Sequence, residues 1–382
     1  MKKLSLTIAL IIVFSAFQGC ADNGGAKKIE NIGFDFKEKA QIIHSNITNK
    51  FYDKLSNLYY ETNLGMNGKD EKRYCYLWPL AALFQAYAQE FIAEGSKDRT
   101  QIDSVMKSIE RYFNVERAQY TKGLGYDSYV VDMGGGQRYY DDNQWLGLTY
   151  CDLYESTKDP ALLEKAKAIY KFSWSGFDTK TGGGIYWREG DFASKNTCSN
   201  GPQIVLALRL KMLDQKDDGY VKKATELYNW VNKKLKSPEN IYWDKINVSD
   251  GAVDKTAWAY NTGTMLQSNV LFYEITKDEK YLKEAQTIAK SSLTYFAPKG
   301  QFPENLWFNA VLLRGYKELF EIDGDPQYIN AFQKYAKTVW ETQRYGEDPS
   351  IGVKEPKTLI DQAGMLEICS SLTFQPEGLY LN

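Results

Sequence analysis

Residues 145–174 read WLGLTYCDLYESTKDPALLEKAKAIYKFSW, and the change of character at Lys158-Asp159-Pro160 decides the fold. Before the break, apolar residues occupy almost the whole circumference of a helix, a pattern that requires burial on both sides. After it, Leu162, Leu163, Ala166, Ile169, Tyr170 and Ser173 mark one face, while Glu164, Lys165, Lys167 and Lys171 mark the other. A wholly apolar helix followed by an amphipathic one is an inner–outer hairpin. The same change recurs at Asp217-Asp218-Gly219, Lys277-Asp278-Glu279 and Asp323-Gly324-Asp325-Pro326, about 60 residues apart early in the chain and about 50 later. An earlier hairpin, LWPLAALFQAYAQEF (77–91) followed by QIDSVMKSIERYF (101–113), fits the scheme and brings the pairs to five. Two helical segments remain, one at about 35–60 (FKEKAQIIHSNITNKFYDKL) and one at about 358–373 (TLIDQAGMLEICSSL). The first is amphipathic and the last apolar, so together they make a sixth hairpin and close a ring, whereas an open solenoid would carry polar end caps. The expected fold is all-α, an (α/α)6 barrel. No Pro/Gly/Ser-rich linker interrupts it, so residues 35–382 read as one domain.

Composition narrows the chemistry. The 382 residues carry 47 Lys+Arg against 49 Asp+Glu, so no basic surplus exists to neutralise a nucleic-acid backbone. His44 is the one histidine, which removes HExxH zinc sites and leaves little room for a Ser–His–Asp triad. No metal spacing or cofactor motif is present, and monomer is the default state of a closed ring. Aromatic residues reach 14%, which suits either a helical core or a cleft that stacks sugar rings. Cys75, Cys151, Cys198 and Cys369 show no CxxC spacing and read as buried free thiols.

The N-terminus reads as an address. Lys2 and Lys3 precede an apolar run from Leu4 to Phe17 and then Gly19-Cys20, too short a run for a comfortable membrane span. Residues 1–19 are read as a lipoprotein signal peptide, Cys20 as the lipidated residue, and 20–34 as a flexible tether. The expected location is outside the cytoplasm, anchored by lipid to the bacterial envelope.

In a closed ring the Gly/aromatic loops GGGIYWRE (182–189), IYWDKIN (241–247) and their counterparts lead into the N-termini of the inner helices and converge on one mouth. Asp141-Asp142-Asn143, Asn196, Asn200, Tyr260-Asn261 and Asn309 gather there. Helix capping accounts for single Asn and Asp residues at such places. Two adjacent carboxylates exceed what a cap needs. In an aromatic-walled cleft they cannot both ionise easily, which suits glycoside hydrolysis with one as nucleophile or base and the other as acid. Trp145, Trp187, Trp258 and Trp307 are either sugar platforms or core. Asp250 and Asp254 are either solvated loop residues or ligands for substrate hydroxyls, and Arg314, inside an apolar helix, needs a partner.

These residues carry a resemblance. YDDNQW (140–145), GGGIYW (182–187), KNTCSNGP (195–202), AYNTGTML (259–266) and WFNAVLLRGY (307–316) together resemble glycoside hydrolase family 76, the endo-α-1,6-mannanase family. The resemblance implies a retaining attack on α-1,6-linked mannose chains, probing α-mannan as the partner, with Asp141 as nucleophile and Asp142 as general acid/base. It sets Asn196, Asn200, Tyr260 and Asn261 near the cleft, beside Asn143, Trp145, Trp187 and Asp250 as binding candidates. Phe308-Asn309-Ala310 departs from the Phe-Lys-Gly of many members, which bears on that rim. A transglycosidase, a hydrolase of another α-linked polysaccharide, and a glycan-binding lipoprotein without turnover are the alternatives; the last has no use for a pair of unequal carboxylates.

Overall fold

In a computed structural model, residues 28–67, 72–120, 125–214, 219–303, 305–344, 346 and 348–373 are described. The signal peptide, Cys20 and the first part of the tether lie outside them. In chain order the helices are α1 (Phe36–Lys50), α2 (Leu77–Ala93), α3 (Thr100–Glu110), α4 (Val115–Tyr120), α5 (Tyr140–Thr157), α6 (Pro160–Trp174), α7 (Thr197–Leu213), α8 (Tyr220–Lys234), α9 (Ala259–Thr276), α10 (Glu279–Phe296), α11 (Leu306–Asp323), α12 (Gln327–Thr342) and α13 (Leu359–Thr373). Helices α2, α5, α7, α9, α11 and α13 each pack on the next, and α13 returns to α2. Helices α3, α6, α8, α10 and α12 lie outside the inner helix that precedes each, and α1 lies outside α13. The expected (α/α)6 ring, closed by its first and last helices, is the observed architecture. Among the described residues no helix is long and apolar enough to cross a membrane.

The recurring hinge has a local cause. Lys158, Lys277 and Gly324 all take left-handed backbone conformations, with φ of 58°, 56° and 69°, and end α5, α9 and α11. An aspartate follows each. Asp159 accepts from Ala161 N–H at 3.0 Å, Asp278 from Lys280 N–H at 3.1 Å, and Asp325 from Gln327 N–H at 3.1 Å. One residue stops the inner helix and the next starts the outer one.

Inner helices approach very closely at Gly364 on α13, where an added Cβ would lie 2.6 Å from the Trp307 backbone nitrogen on α11. Gly364→Ala should therefore lower the unfolding free energy by about 1–3 kcal/mol, measured by urea denaturation, because neither backbone can yield without opening the ring.

Three expectations need correction. The first helix stops at Lys50, not near residue 60. Asp53 folds the chain back by accepting from Leu55 N–H at 3.0 Å, and a small hairpin of β1 (Tyr52–Asp53) and β2 (Leu58–Tyr59) follows. Residues 28–34 of the expected tether are strapped to α12: Asn330 accepts from Glu30 N–H at 2.9 Å, Lys334 pairs with Glu30 at 2.7 Å, and Phe34 sits edge-on to Trp340. The loops at the mouth are not all irregular either. Strands β3 (Tyr186–Arg188), β4 (Asp191–Asn196), β5 (Trp243–Asn247) and β6 (Val253–Ala257) form one antiparallel sheet in that order. The four cysteines are buried free thiols, as their spacing suggested.

Candidate active site

The inner helices begin at one end of the ring, and there the Asp pair stands in the first turn of α5. Tyr139 bridges to Arg188, so β3 lies alongside the start of α5 and brings Trp187 over Asp141. The Trp187 indole N–H donates to Asp141 Oδ2 at 3.3 Å. Both aspartates line a cleft of about 540 Å³.

The four tryptophans divide by depth. Trp145 and Trp307 are 3% and 1% exposed and cross at 90° with centroids 5.0 Å apart, forming the floor. Trp187 and Trp258, each 40% exposed, stand as walls of the cleft. Tyr260 lines the cleft and stacks on Phe308 at 4.1 Å. Asn196 also lines it, accepting from Ser194 Oγ at 2.8 Å.

The two carboxylates are electrically unequal. Burial lifts Asp142 well above the usual carboxylate range, and the neighbouring charge of Asp141 lifts it further. Burial also raises Asp141, to about 6, against the pull of the Cys198 thiol, backbone N–H groups and the Trp187 indole. Near neutral pH, Asp141 is thus the ionised member and Asp142 holds a proton. Such an inequality suits the pairing of a nucleophile with an acid.

Asn143 and Asn200, expected as binding residues or caps, are neither. Asn143 accepts from Tyr126 N–H at 2.7 Å and donates to Tyr126 O at 3.1 Å and Tyr139 O at 2.8 Å. Asn200 does the same with Ile185 N–H (2.8 Å), Ile185 O (3.0 Å) and Asn196 O (2.7 Å). Gln362 repeats it with Ile351 N–H, Ile351 O and Thr358 O, at 2.8, 2.7 and 3.1 Å. Each amide staples a mouth loop to the first turn of an inner helix, satisfying loop and helix groups at once. Asn309 is turned away from the rim, donating to Tyr335 Oη at 2.9 Å, so the departure at 308–310 leaves Phe308 alone facing the cleft. Asn261 is fully buried, and its side chain holds down the pKa of the cleft residue Asp244.

Asp250 is a second correction. It lies exposed in the β5–β6 turn and accepts from Ala252 N–H at 2.9 Å, folding that turn rather than reaching the cleft. The carboxylate the loop delivers is Asp244 on β5. It sits where the β5–β6 register shifts between Trp243 and Lys245, and such bulges re-aim side chains. Burial raises Asp244, as does the charge of Asp254, while Lys245 opposes. The cue in the sequence was an aspartate between Trp243 and Lys245 in IYWDKIN, legible once that segment is known to be a strand.

The family model for glycosyl hydrolase family 76 matches residues 35–316. The chain belongs to that family. This family 76 member is accordingly a glycosidase. Its fold is similar to the family 76 α-mannanase BT2949 of Bacteroides thetaiotaomicron, at 22% identity and TM-score 0.80 over 90% of this chain and 96% of that one. It is also similar to an inactive variant of the α-1,6-mannanase GH76A of Salegentibacter sp. HEL1_6, in which two adjacent aspartates are asparagines. That protein is in complex with α-1,6-mannotriose (22% identity, TM-score 0.72, 89% and 99% coverage). A curated relative, mannan endo-1,6-alpha-mannosidase DFG5 of Candida albicans, is 26% identical over 147 residues. The match spans 35% of this family 76 chain and 32% of the relative's length.

Proposed function

We propose that this family 76 glycosidase hydrolyses α-1,6-mannosidic linkages within α-mannan chains, with retention of configuration. The observation that carries the mechanism is the unequal pair Asp141 and Asp142 beneath the aromatic walls. Asp141 attacks the anomeric carbon as Asp142 gives its proton to the departing glycosidic oxygen, forming a glycosyl ester on Asp141. Asp142, now ionised, takes a proton from water. That water attacks the anomeric carbon, breaking the ester and freeing Asp141. Trp187 and Trp258 stack the sugar rings, with Asn196, Asp244 and Tyr260 beside them for hydroxyl groups. The substrate is inferred from the α-1,6-mannotriose bound by the Salegentibacter enzyme and from the endo-1,6-alpha-mannosidase name of the Candida relative. The same reading has the protein act as a monomer outside the cytoplasm, held to the envelope by lipid on Cys20, on the strength of its basic start, short apolar run and Gly19-Cys20.

The test is incubation of residues 28–382 with debranched α-1,6-mannan, followed by separation of products by size and by anomer. A ladder of oligomers released first as the α-anomer is expected. Mannose alone would replace internal with terminal cleavage, products longer than the substrate would reveal transfer to a sugar acceptor, and no products would overturn the substrate assignment.

A further inference from the structure

Lys195 on β4 is wholly buried, and the steps above give it no part. Its ammonium donates to four oxygens: Asp178 Oδ1 at 2.5 Å, Gly183 O at 2.7 Å, Lys180 O at 2.9 Å and Asp178 O at 3.0 Å. Four acceptors exceed three N–H groups, so the nitrogen carries its full complement of protons and shares one between two oxygens. Tyr186 on β3 joins the same cage. Its hydroxyl donates to Asp178 Oδ2 at 2.7 Å, and its ring centre lies 4.7 Å from the ammonium. Tyr186 and Lys195 are also direct partners across β3 and β4. Each is followed by a residue that lines the cleft, Trp187 after Tyr186 and Asn196 after Lys195. The loop after α6, strand β3 and strand β4 thus meet on one buried charge, and two cleft residues stand one position away from it.

We propose that Lys195 is a positioning residue: its ammonium, closed in a cage of oxygens, fixes β3 against β4 and so holds Trp187 over Asp141 and Asn196 in the cleft. The proposal rests on the reading of Trp187 as a wall that stacks sugar beside the nucleophile. The Trp187 indole reaches Asp141 at 3.3 Å, near the limit of a hydrogen bond, so a small drift of β3 breaks it. The loop that leads into β3 has little stiffness of its own, because Gly182, Gly183 and Gly184 all take positive φ, at 85°, 131° and 91°. The ammonium supplies that stiffness. A buried charge and four buried oxygens are costly apart, which penalises any arrangement of the loop that separates them.

The experiment is a cycle of wild type, Trp187→Phe, Lys195→Ala and the double variant on debranched α-1,6-mannan. Each single change should lower kcat/KM by about tenfold, the worth of one hydrogen bond to a charged group. The double variant should fall no more than about twofold below the poorer single, because both changes act on one wall. In Lys195→Ala, KM should rise as kcat falls; a merely unstable protein would lose kcat with KM unchanged, and that result overturns the proposal. Multiplied losses in the double variant, about a hundredfold, also overturn it. Propylammonium, which replaces the atoms that Lys195→Ala removes, should restore that variant several-fold, while propanol should not. Equal restoration by both, or none by the amine, overturns the proposal. If Lys195→Ala does not fold, Asp178→Asn takes its place in the cycle, since it keeps the shape of the cage and weakens its hold on the ammonium. There too, a multiplied loss or no loss overturns the proposal. Trp187→Phe at wild-type kcat/KM would remove the reading of Trp187 and the proposal with it, whereas multiplied losses remove the proposal alone.

Discussion

Asp142→Asn should lower kcat on α-1,6-mannan by about 10²- to 10⁴-fold, the usual worth of a general acid/base. The loss should shrink on an aryl mannoside with a good leaving group, because that oxygen departs without a proton. Asp141→Asn should show no such recovery, since no leaving group replaces a missing nucleophile. The wild-type pH profile should be a bell. Activity falls on the acid side as Asp141, raised to about 6, takes up a proton, and on the alkaline side as Asp142, raised further, loses one. Asp142→Asn should lose the alkaline limb. On the alkaline side stability falls together with activity. A buried carboxyl whose folded-state value lies above its unfolded one weakens the fold as pH rises through its titration. At alkaline pH, Asp142→Asn should therefore unfold at a higher temperature than wild type. A variant that is both inactive and less stable would mean that Asp142 supports the fold instead.

The second large effect concerns stability. Glu367 on α13 is 1% exposed and takes two bonds from Arg314 on α11, at 2.5 and 2.9 Å from Nε and Nη2. The guanidinium also lies 5.7 Å from the Trp145 ring, the floor of the cleft. Glu367→Ala should cost about 3–5 kcal/mol in urea denaturation, because it strands a buried cation. Replacing both partners with apolar residues, Arg314→Met with Glu367→Leu, should recover most of that loss. Equal losses in the single and double variants would show that packing, not the ion pair, matters there.

The ring was legible because the hinges at 158–160, 277–279 and 323–326 combine a strong local stop with a strong local start, and because all-round apolar helices must be inner ones. The Asp pair was legible because two adjacent carboxylates exceed the needs of a cap. What escaped notice depends on contacts between distant segments. Asn143 and Asn200 look like polar residues at a mouth, and only the loops at Tyr126 and Ile185 make them staples. Asp250 looked available because turn residues are exposed, whereas Asp244 reaches the cleft through a sheet that joins segments some fifty residues apart. Strands as short as β3 carry too little alternation to be seen against helical neighbours. The apolar spacing of α1 runs on into Phe51 and Tyr52, which hid the hairpin.

Helix α13 fills the gap between α11 and α2 and carries α1 on its back. The last stave of the barrel is thus the last to be synthesised. Until residues 359–373 arrive, α2 has an uncovered apolar flank and α1 has no seat, so the first helices made are among the last to be secured. Contacts that span nearly the whole chain form slowly, and an open apolar seam is a hazard while they do. Loss of this one terminal segment would leave three helices without their partner, two of them inner walls of the barrel.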